Sequence, residues 1–186
     1  MKVVTSTVVR TSALFVLLGC TSTPAPQPRA FTHVVAFGDS FTDNGHVDGH
    51  GFNRDSNGKV WVEYLSDKLQ AVLDNRAWGG ARTDEGHYLG FDWSGFHWQV
   101  DRFELQSKPD TTLFTVWIGV NDYWDANNDP ADSVRNIKRG LEKLIAKGAK
   151  HVVVFNNFDL TLSPGYGPKN EYHALVPTVR VLTEKF

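Results

Sequence analysis

From residue 31 onward, short apolar runs alternate with stretches whose apolar residues recur at helical spacing. Val34-Val35-Ala36-Phe37 is a compact apolar run stopped by Gly38, which predicts a buried strand. Val60, Tyr64, Leu65 and Leu69 fall on one face of a predicted helix over 60–69. Residues 75–78 are a candidate second strand, very short. Phe96, Val100, Phe103 and Leu105 give a helical pattern over 96–105. Residues 112–118, rich in β-branched and aromatic side chains, form the strongest strand pattern. Asp129 then suits a helix N-cap, Pro130 the first helical position and Asp132 the first turn. This helix is expected to run to about Lys147, with Gly148 ending it. Residues 151–155 read as a further buried strand, and 174–186 as a helix interrupted or started by Pro177. The order β-α-β-α-β-α-β-α predicts an α/β fold, a parallel sheet with helices on both faces. In such sheets a site lies outside the C-terminal ends of the strands.

The first thirty residues follow another pattern. Lys2 and Arg10 accompany the run Ala13-Leu14-Phe15-Val16-Leu17-Leu18, too short for a permanent membrane span and suited to a signal-peptide core. It ends in Leu17-Leu18-Gly19-Cys20, which resembles the bacterial lipobox, where the cysteine is acylated and becomes the mature N-terminus. Residues 1–19 are thus expected to be a lipoprotein signal peptide and 20–30 a tether containing Pro24, Pro26 and Pro28. Residues 31–186 form the domain. The expected location is that of an exported bacterial lipoprotein held by lipid on Cys20, in the outer membrane facing the periplasm or at the cell surface. An ordinary secretory signal with an incidental cysteine is the alternative. Without residues 1–19 the chain keeps 17 basic against 21 acidic residues, so a polybasic patch is no part of the anchor.

Composition narrows the function. The chain has 186 residues, 41% hydrophobic and 12% aromatic, which excludes a disordered chain. Mean hydropathy is -0.31 and no apolar run approaches about 18 residues, which excludes a polytopic membrane protein. Net charge is -2, so nothing points to nucleic acid as a partner. The single cysteine excludes an intramolecular disulfide and a multi-cysteine metal site.

Candidate chemistry sits at three successive strand ends. Gly38-Asp39-Ser40 follows the first strand and presents a hydroxyl. Gly79-Gly80-Ala81 follows the second, and its permissive backbone can aim an N–H inward. Gly119-Val120-Asn121-Asp122 follows the third, and Asn121 can donate its amide to an oxyanion. Each piece alone is also an ordinary turn or cap. Together they offer a nucleophile and donors for the charge that develops in acyl transfer.

The joint pattern resembles the GDSL esterase/lipase family of the SGNH-hydrolase superfamily. Val35-Ala36-Phe37-Gly38-Asp39-Ser40-Phe41-Thr42-Asp43-Asn44-Gly45 resembles its first block. Asn75-Arg76-Ala77-Trp78-Gly79-Gly80-Ala81-Arg82-Thr83 resembles the second, and Trp117-Ile118-Gly119-Val120-Asn121-Asp122-Tyr123 the third. The segments 56–65 and 156–164 are similar to the branch containing plant GDSL lipases and phospholipid–cholesterol acyltransferase-like enzymes. The resemblance implies a three-layer α/β/α, flavodoxin-like fold and a small acyl-ester or lipid substrate. It makes Ser40 the nucleophile, with its own N–H, the Gly80 N–H and the Asn121 side chain as the oxyanion hole. It implies no cofactor. Asp39 and Asp122 are read as hydrogen-bonding residues that shape the turns.

The family's Asp-x-x-His block, which supplies the base after a fifth strand, is not recognisable after Phe155. The chain is therefore expected to be a C-terminally truncated copy, with its last strand missing and residues 152–155 left as an exposed apolar edge. Two such strings occur upstream, Asp43 to His46 and Asp84 to His87, and both histidines are read as solvated loop residues. His173 is preceded at that spacing by Asn170. The other class of function is a catalytically inactive, surface-anchored lipoprotein that keeps the fold as a binding module.

Weaker constellations have bland readings. Asn53, Asp55, Asn57 and Gly58 resemble the start of a calcium loop, but Glu63 stands one place short of its last ligand. His46, Asp48 and His50 lack a diagnostic metal spacing. Tyr88, Phe91, Trp93, Phe96 and Trp98 suit packing of the following helix on the sheet, or else an acyl-binding wall. Trp117 is expected in the core.

Overall fold

The computed structural model describes residues 31–45, 51–52, 54–124 and 129–169. Its elements, in chain order, are β1 (His33–Gly38), α1 (Trp61–Leu69), β2 (Val72–Asn75), α2 (Phe96–Asp101), β3 (Thr112–Trp117), α3 (Pro130–Ala146) and β4 (His151–Val154). Among the described residues the strands form one sheet in the order β2-β1-β3-β4, every pair parallel. The expected α/β architecture is therefore present. Residues 1–30, including Cys20, and the expected helix over 174–186 lie outside the described residues.

Alternation along β1 creates the three layers. Val34 and Ala36 point to one face and pack with Val60 and Val62 at the start of α1. Val35 and Phe37 point to the other and join Phe96 and Val100 of α2, Phe114 and Val116 of β3 and Leu144 of α3. Phe37 stands edge-on to Phe96 and to Phe103, with ring centroids 6.1 and 5.5 Å apart. Complete burial of each such side chain contributes roughly 1.5–3 kcal/mol relative to exposure. Because β1 lies between β2 and β3, the chain diverges at their C-terminal ends. That is the crevice where parallel sheets hold ligands.

Local signals set most element boundaries. The Glu63 carboxylate accepts the Val60 N–H at 2.7 Å, so Val60 caps α1 instead of opening it. Asp129 accepts the Ala131 N–H at 3.0 Å, Pro130 opens α3, and Gly148 ends it at φ +102°. Two expectations shift. The second strand lies at Val72–Asn75, not 75–78, because its pairing with β1 runs from His33–Val72 to Ala36–Asn75. Residues 76–78 continue only as single bonds, Arg76 N–H to the Ala36 carbonyl and Trp78 N–H to that of Gly38. Helix α2 stops at Asp101, and Phe103 leaves it to pack between Phe37 and Phe114. β4 pairs with β3 alone among the described residues, and Val153 and Val154 are 42% and 43% exposed.

Gly140 shows how tightly α3 is seated. A Cβ there would overlap the ring of the buried Phe96. Alanine favours a helix over glycine by about 1 kcal/mol, whereas overpacking a core costs about 1–3 kcal/mol. The clash wins, because Phe96 is hemmed in by Phe37. Gly140→Ala should lower stability by about 1 kcal/mol in urea denaturation; an unchanged or raised midpoint would show that α3 can move off the sheet freely.

Candidate active site

The turn after β1 is built to leave Ser40 at its crest. The Asp39 carbonyl accepts the N–H groups of Thr42 and Asp43, both at 2.9 Å, and the Asp39 carboxylate accepts the Phe41 N–H at 3.1 Å. Ser40 itself, N–H and hydroxyl, makes no hydrogen bond among the described residues. The strand end beneath is held by Gln99. Its carboxamide accepts the Gly38 N–H at 3.1 Å and donates to the Gly38 carbonyl at 2.8 Å. A Cβ on Gly38 would lie 2.5 Å from the Trp117 carbonyl, so glycine is required by the approach of β3.

Three loops are then tied together. The buried Asp43 carboxylate accepts N–H groups from Gly45 at 2.8 Å, Phe52 at 2.8 Å and Gly79 at 2.7 Å. The Asn75 amide donates to the Thr42 carbonyl at 2.7 Å. These bonds draw the Gly79-Gly80 loop beside Ser40; a Cβ on Gly79 would sit 3.9 Å from that of Ser40. From the third loop, the Asn121 amide donates to the Ala81 carbonyl at 2.9 Å, which leaves its second hydrogen uncommitted. Asp122 accepts the Thr83 N–H at 3.1 Å and its hydroxyl at 2.6 Å, and the Ser133 hydroxyl of α3 at 2.9 Å. The Gly80 N–H has no partner among the described residues. Ser40, Gly80 and Asn121 thus come from three strand ends into one stitched cluster with unused donors.

A family model described as GDSL-like Lipase/Acylhydrolase matches residues 34–183. The chain belongs to that family. Among similar proteins is the thermolabile hemolysin of Vibrio parahaemolyticus, 30% identical over 163 residues, 76% of this chain and 37% of that protein. Another is the phosphatidylcholine-sterol acyltransferase of Aeromonas hydrophila, 30% identical over 174 residues, 80% of this chain and 51% of that protein. The chain therefore spans about half, or less, of the length of these relatives. A solved lipolytic protein of the G-D-S-L family from Veillonella parvula superposes with a TM-score of 0.49 at 18% identity, covering 82% of this chain and 69% of that one.

Two clefts flank Ser40 in this GDSL-family chain. One, of about 380 Å3, is walled by Ser40, Phe41, Asp55, Val60, Trp61 and Trp117. The other, of about 300 Å3, is walled by Phe52, Gly79, Gly80, His87, Leu89 and Phe91, with Asp55 at its edge. Trp117 is a correction to its expected place in the core. It is half-buried, on the α1 side of β3, stacked on Phe41 at 5.3 Å and edge-on to Trp61 at 5.9 Å. Phe114 and Val116 take the inward face, so the next alternate position, Trp117, looks the other way. The aromatic run after the second block divides: Phe96 is core, while Tyr88 and Phe91 are 46% and 42% exposed at the second cleft.

His87 is a second correction, for it is buried, not solvated. Its Nδ1 accepts the Leu89 N–H at 3.0 Å, and its other nitrogen meets the Gly79-Gly80 backbone. Burial pushes its pKa down, so the ring is neutral. A Cβ on Gly80, at φ +76°, would overlap this ring. His87 therefore supports the Gly80 loop from below. His46, and the His46, Asp48 and His50 group, lie outside the described residues, as does Asn53 of the calcium-loop pattern. No cluster of three His, Cys, Asp or Glu side chains suited to a metal exists among the described residues. Gln99 and Asp43 carry the site's geometry without a local signal for it: Gln99 is 61 residues from the peptide it holds.

Asp39 is fully buried and one of its carboxylate oxygens has no partner. Burial, opposed by the Phe41 N–H and reinforced by nearby Asp122, pushes its pKa up to about 7. Burial also raises Asp122, against the pull of Thr83 and Ser133. The folded chain binds the Asp39 proton more tightly than the unfolded chain does. Its contribution to stability is complete below the ordinary carboxylate range and is lost as pH rises through about 7. Asp39→Asn should therefore gain stability relative to wild type at pH 8 and much less at pH 5, read by urea denaturation. An equal difference at the two pH values would show that Asp39 does not titrate in this window.

Proposed function

We propose that the chain is the nucleophile-bearing part of a serine ester hydrolase. The observation that carries this reading is the convergence of Ser40, the Gly80 N–H and the Asn121 amide, each with an unused hydrogen-bonding group. The Ser40 oxygen attacks the carbonyl carbon of an acyl ester, and its proton passes to a base. The Ser40 and Gly80 N–H groups and the free Asn121 hydrogen stabilise the tetrahedral oxyanion. The alcohol leaves with a proton, and water releases the acid from Ser40. The aromatic clefts suit an acyl or lipid substrate.

No base stands beside Ser40 among the described residues. His87 has its Nδ1 lone pair occupied by Leu89, and the 186-residue sequence shows no Asp-x-x-His string after β4. In this reading Ser40 is activated by a histidine and a carboxylate that are not among the described residues. A serine with an oxyanion hole but no paired imidazole works several orders of magnitude below a complete triad. The competing reading is a binding module that keeps the fold. For location, the lipobox-like stretch ending at Cys20 supports an exported, lipid-anchored protein. No helix among the described residues is long and apolar enough to cross a membrane.

Three measurements test these readings. A fluorophosphonate should label Ser40, label nothing in Ser40→Ala, and react about 10²–10³ more slowly with Asn121→Ala; failure to label Ser40 favours the binding module. Turnover of p-nitrophenyl butyrate at the level of a complete triad would show that such a base acts in this chain. On expression in a bacterium, the chain should carry an acyl modification on Cys20 and sediment with membranes, and Cys20→Ala should release it. A soluble, unacylated wild type would remove the anchor.

A further inference from the structure

The sequence contains two Asn-Gly pairs, Asn44-Gly45 and Asn57-Gly58, and the fold treats them in opposite ways. In such a pair the glycine has no side chain to shield its backbone nitrogen, which then has access to the asparagine amide carbon. Attack requires three things: the N–H sheds its proton, the nitrogen turns toward the side chain, and water reaches both.

Asn44-Gly45 meets none of these conditions. Asn44 is 3% exposed. The Gly45 N–H donates to the Asp43 carboxylate at 2.8 Å, which holds the nitrogen in place and, being negative, opposes loss of its proton. Gly45 is also pressed against the Arg54 backbone, since a Cβ there would lie 2.7 Å from the Arg54 nitrogen. Asn57-Gly58 meets all three. Residues 55–59 are exposed and belong to no helix or strand. The Asn57 amide makes no hydrogen bond among the described residues. The Gly58 N–H donates to the Ser56 hydroxyl at 3.2 Å, an uncharged and exposed acceptor that water readily replaces. Nothing lies within 4 Å of the place a Gly58 Cβ would take.

We propose that Asn57 is a site of spontaneous covalent modification, converting to aspartate and isoaspartate in the folded chain, while the fold protects Asn44. The Gly58 nitrogen, its proton lost to solvent, attacks the Asn57 side-chain amide carbon. A new C–N bond closes a cyclic imide, and the side-chain nitrogen leaves as ammonia. Water then adds to one of the two imide carbonyls. Aspartate results when the new C–N bond breaks, and isoaspartate when the original peptide bond breaks. Nothing is oxidised or reduced, and water is the one co-reactant. Either product adds a negative charge next to Ser56, which walls the cleft that holds Ser40. Isoaspartate also lengthens the backbone just before Gly58, whose carbonyl accepts the Arg54 guanidinium at 2.8 Å. The same guanidinium donates to Glu63 in the first turn of α1, so the change falls inside a hydrogen-bonded turn. The modification does not depend on the Ser40 reading above.

The test follows peptide masses over time in the full chain, held folded at neutral pH and physiological temperature, and in the same chain unfolded in guanidinium chloride. In the folded chain the Asn57 peptide should take on the mass of the acid and separate into aspartate and isoaspartate forms. It should do so about tenfold or more faster than the Asn44 peptide converts. In denaturant the two should convert at similar rates. Gly58→Ala, whose methyl group enters open space, should slow conversion at Asn57 about tenfold without lowering the denaturation midpoint. Equal rates at the two sites in the folded chain, no conversion at Asn57 there, or an Asn57 rate untouched by Gly58→Ala overturns the proposal. So does a tenfold gap that persists in denaturant, because the difference would then belong to the local sequence and not to the fold.

Discussion

The arrangement at the strand ends depends on one buried carboxylate, Asp43. It accepts backbone N–H groups from its own turn, from Phe52 and from Gly79, so a single side chain holds three segments that are distant in sequence. Hydrogen bonds to an ionised acceptor contribute about 1.5–3 kcal/mol each. The larger effect is structural, for without the carboxylate three N–H groups lose their partner where water has little access. The Gly79-Gly80 loop would lose its tie to the Ser40 turn, while the Asn75 bond to Thr42 would hold only the base of that loop.

Around that tie, the cluster combines filled and unfilled hydrogen-bonding groups. The supporting groups are satisfied: Gln99 on Gly38, Asn121 on Ala81, Asp122 on Thr83 and Ser133. The groups facing the clefts are not. A folded chain ordinarily pairs its polar groups or leaves them to solvent. Donors held in place by a rigid frame and left open at a cleft are what stabilisation of a developing oxyanion requires, since they need not reorganise as charge appears. Asp39 fits the same division. Its carbonyl and one carboxylate oxygen build the turn, and its other oxygen is buried without a partner and raises the affinity for a proton.

Where sequence reading succeeded, the signal was local. The β1 run, the Asp129-Pro130 cap and Gly148 each rest on residues within a turn of one another, and each stands where expected. It failed where a partner across space decided. The second strand moved because register with β1 selected Val72–Asn75. Trp117 reads as core by hydrophobicity, yet strand alternation turns it to the α1 side, where it walls a cleft. His87 reads as a loop histidine, yet the missing Cβ of Gly80 opens the space that buries it.

By itself the sequence determined the parallel α/β class, the membership of the three blocks in one family pattern, and the residues Ser40, Gly80 and Asn121 as those at successive strand ends. Those are consequences of apolar periodicity and of short motifs, which a linear chain displays directly. Only the tertiary structure decided that Asp43 and Gln99 hold the loops in place, that Asp39 is buried close enough to Asp122 to gain affinity for a proton, and that Asp55 is the one charged side chain lining the two aromatic clefts among the described residues. Burial, pairing and field depend on distances through space. Such distances exist only once the chain has folded.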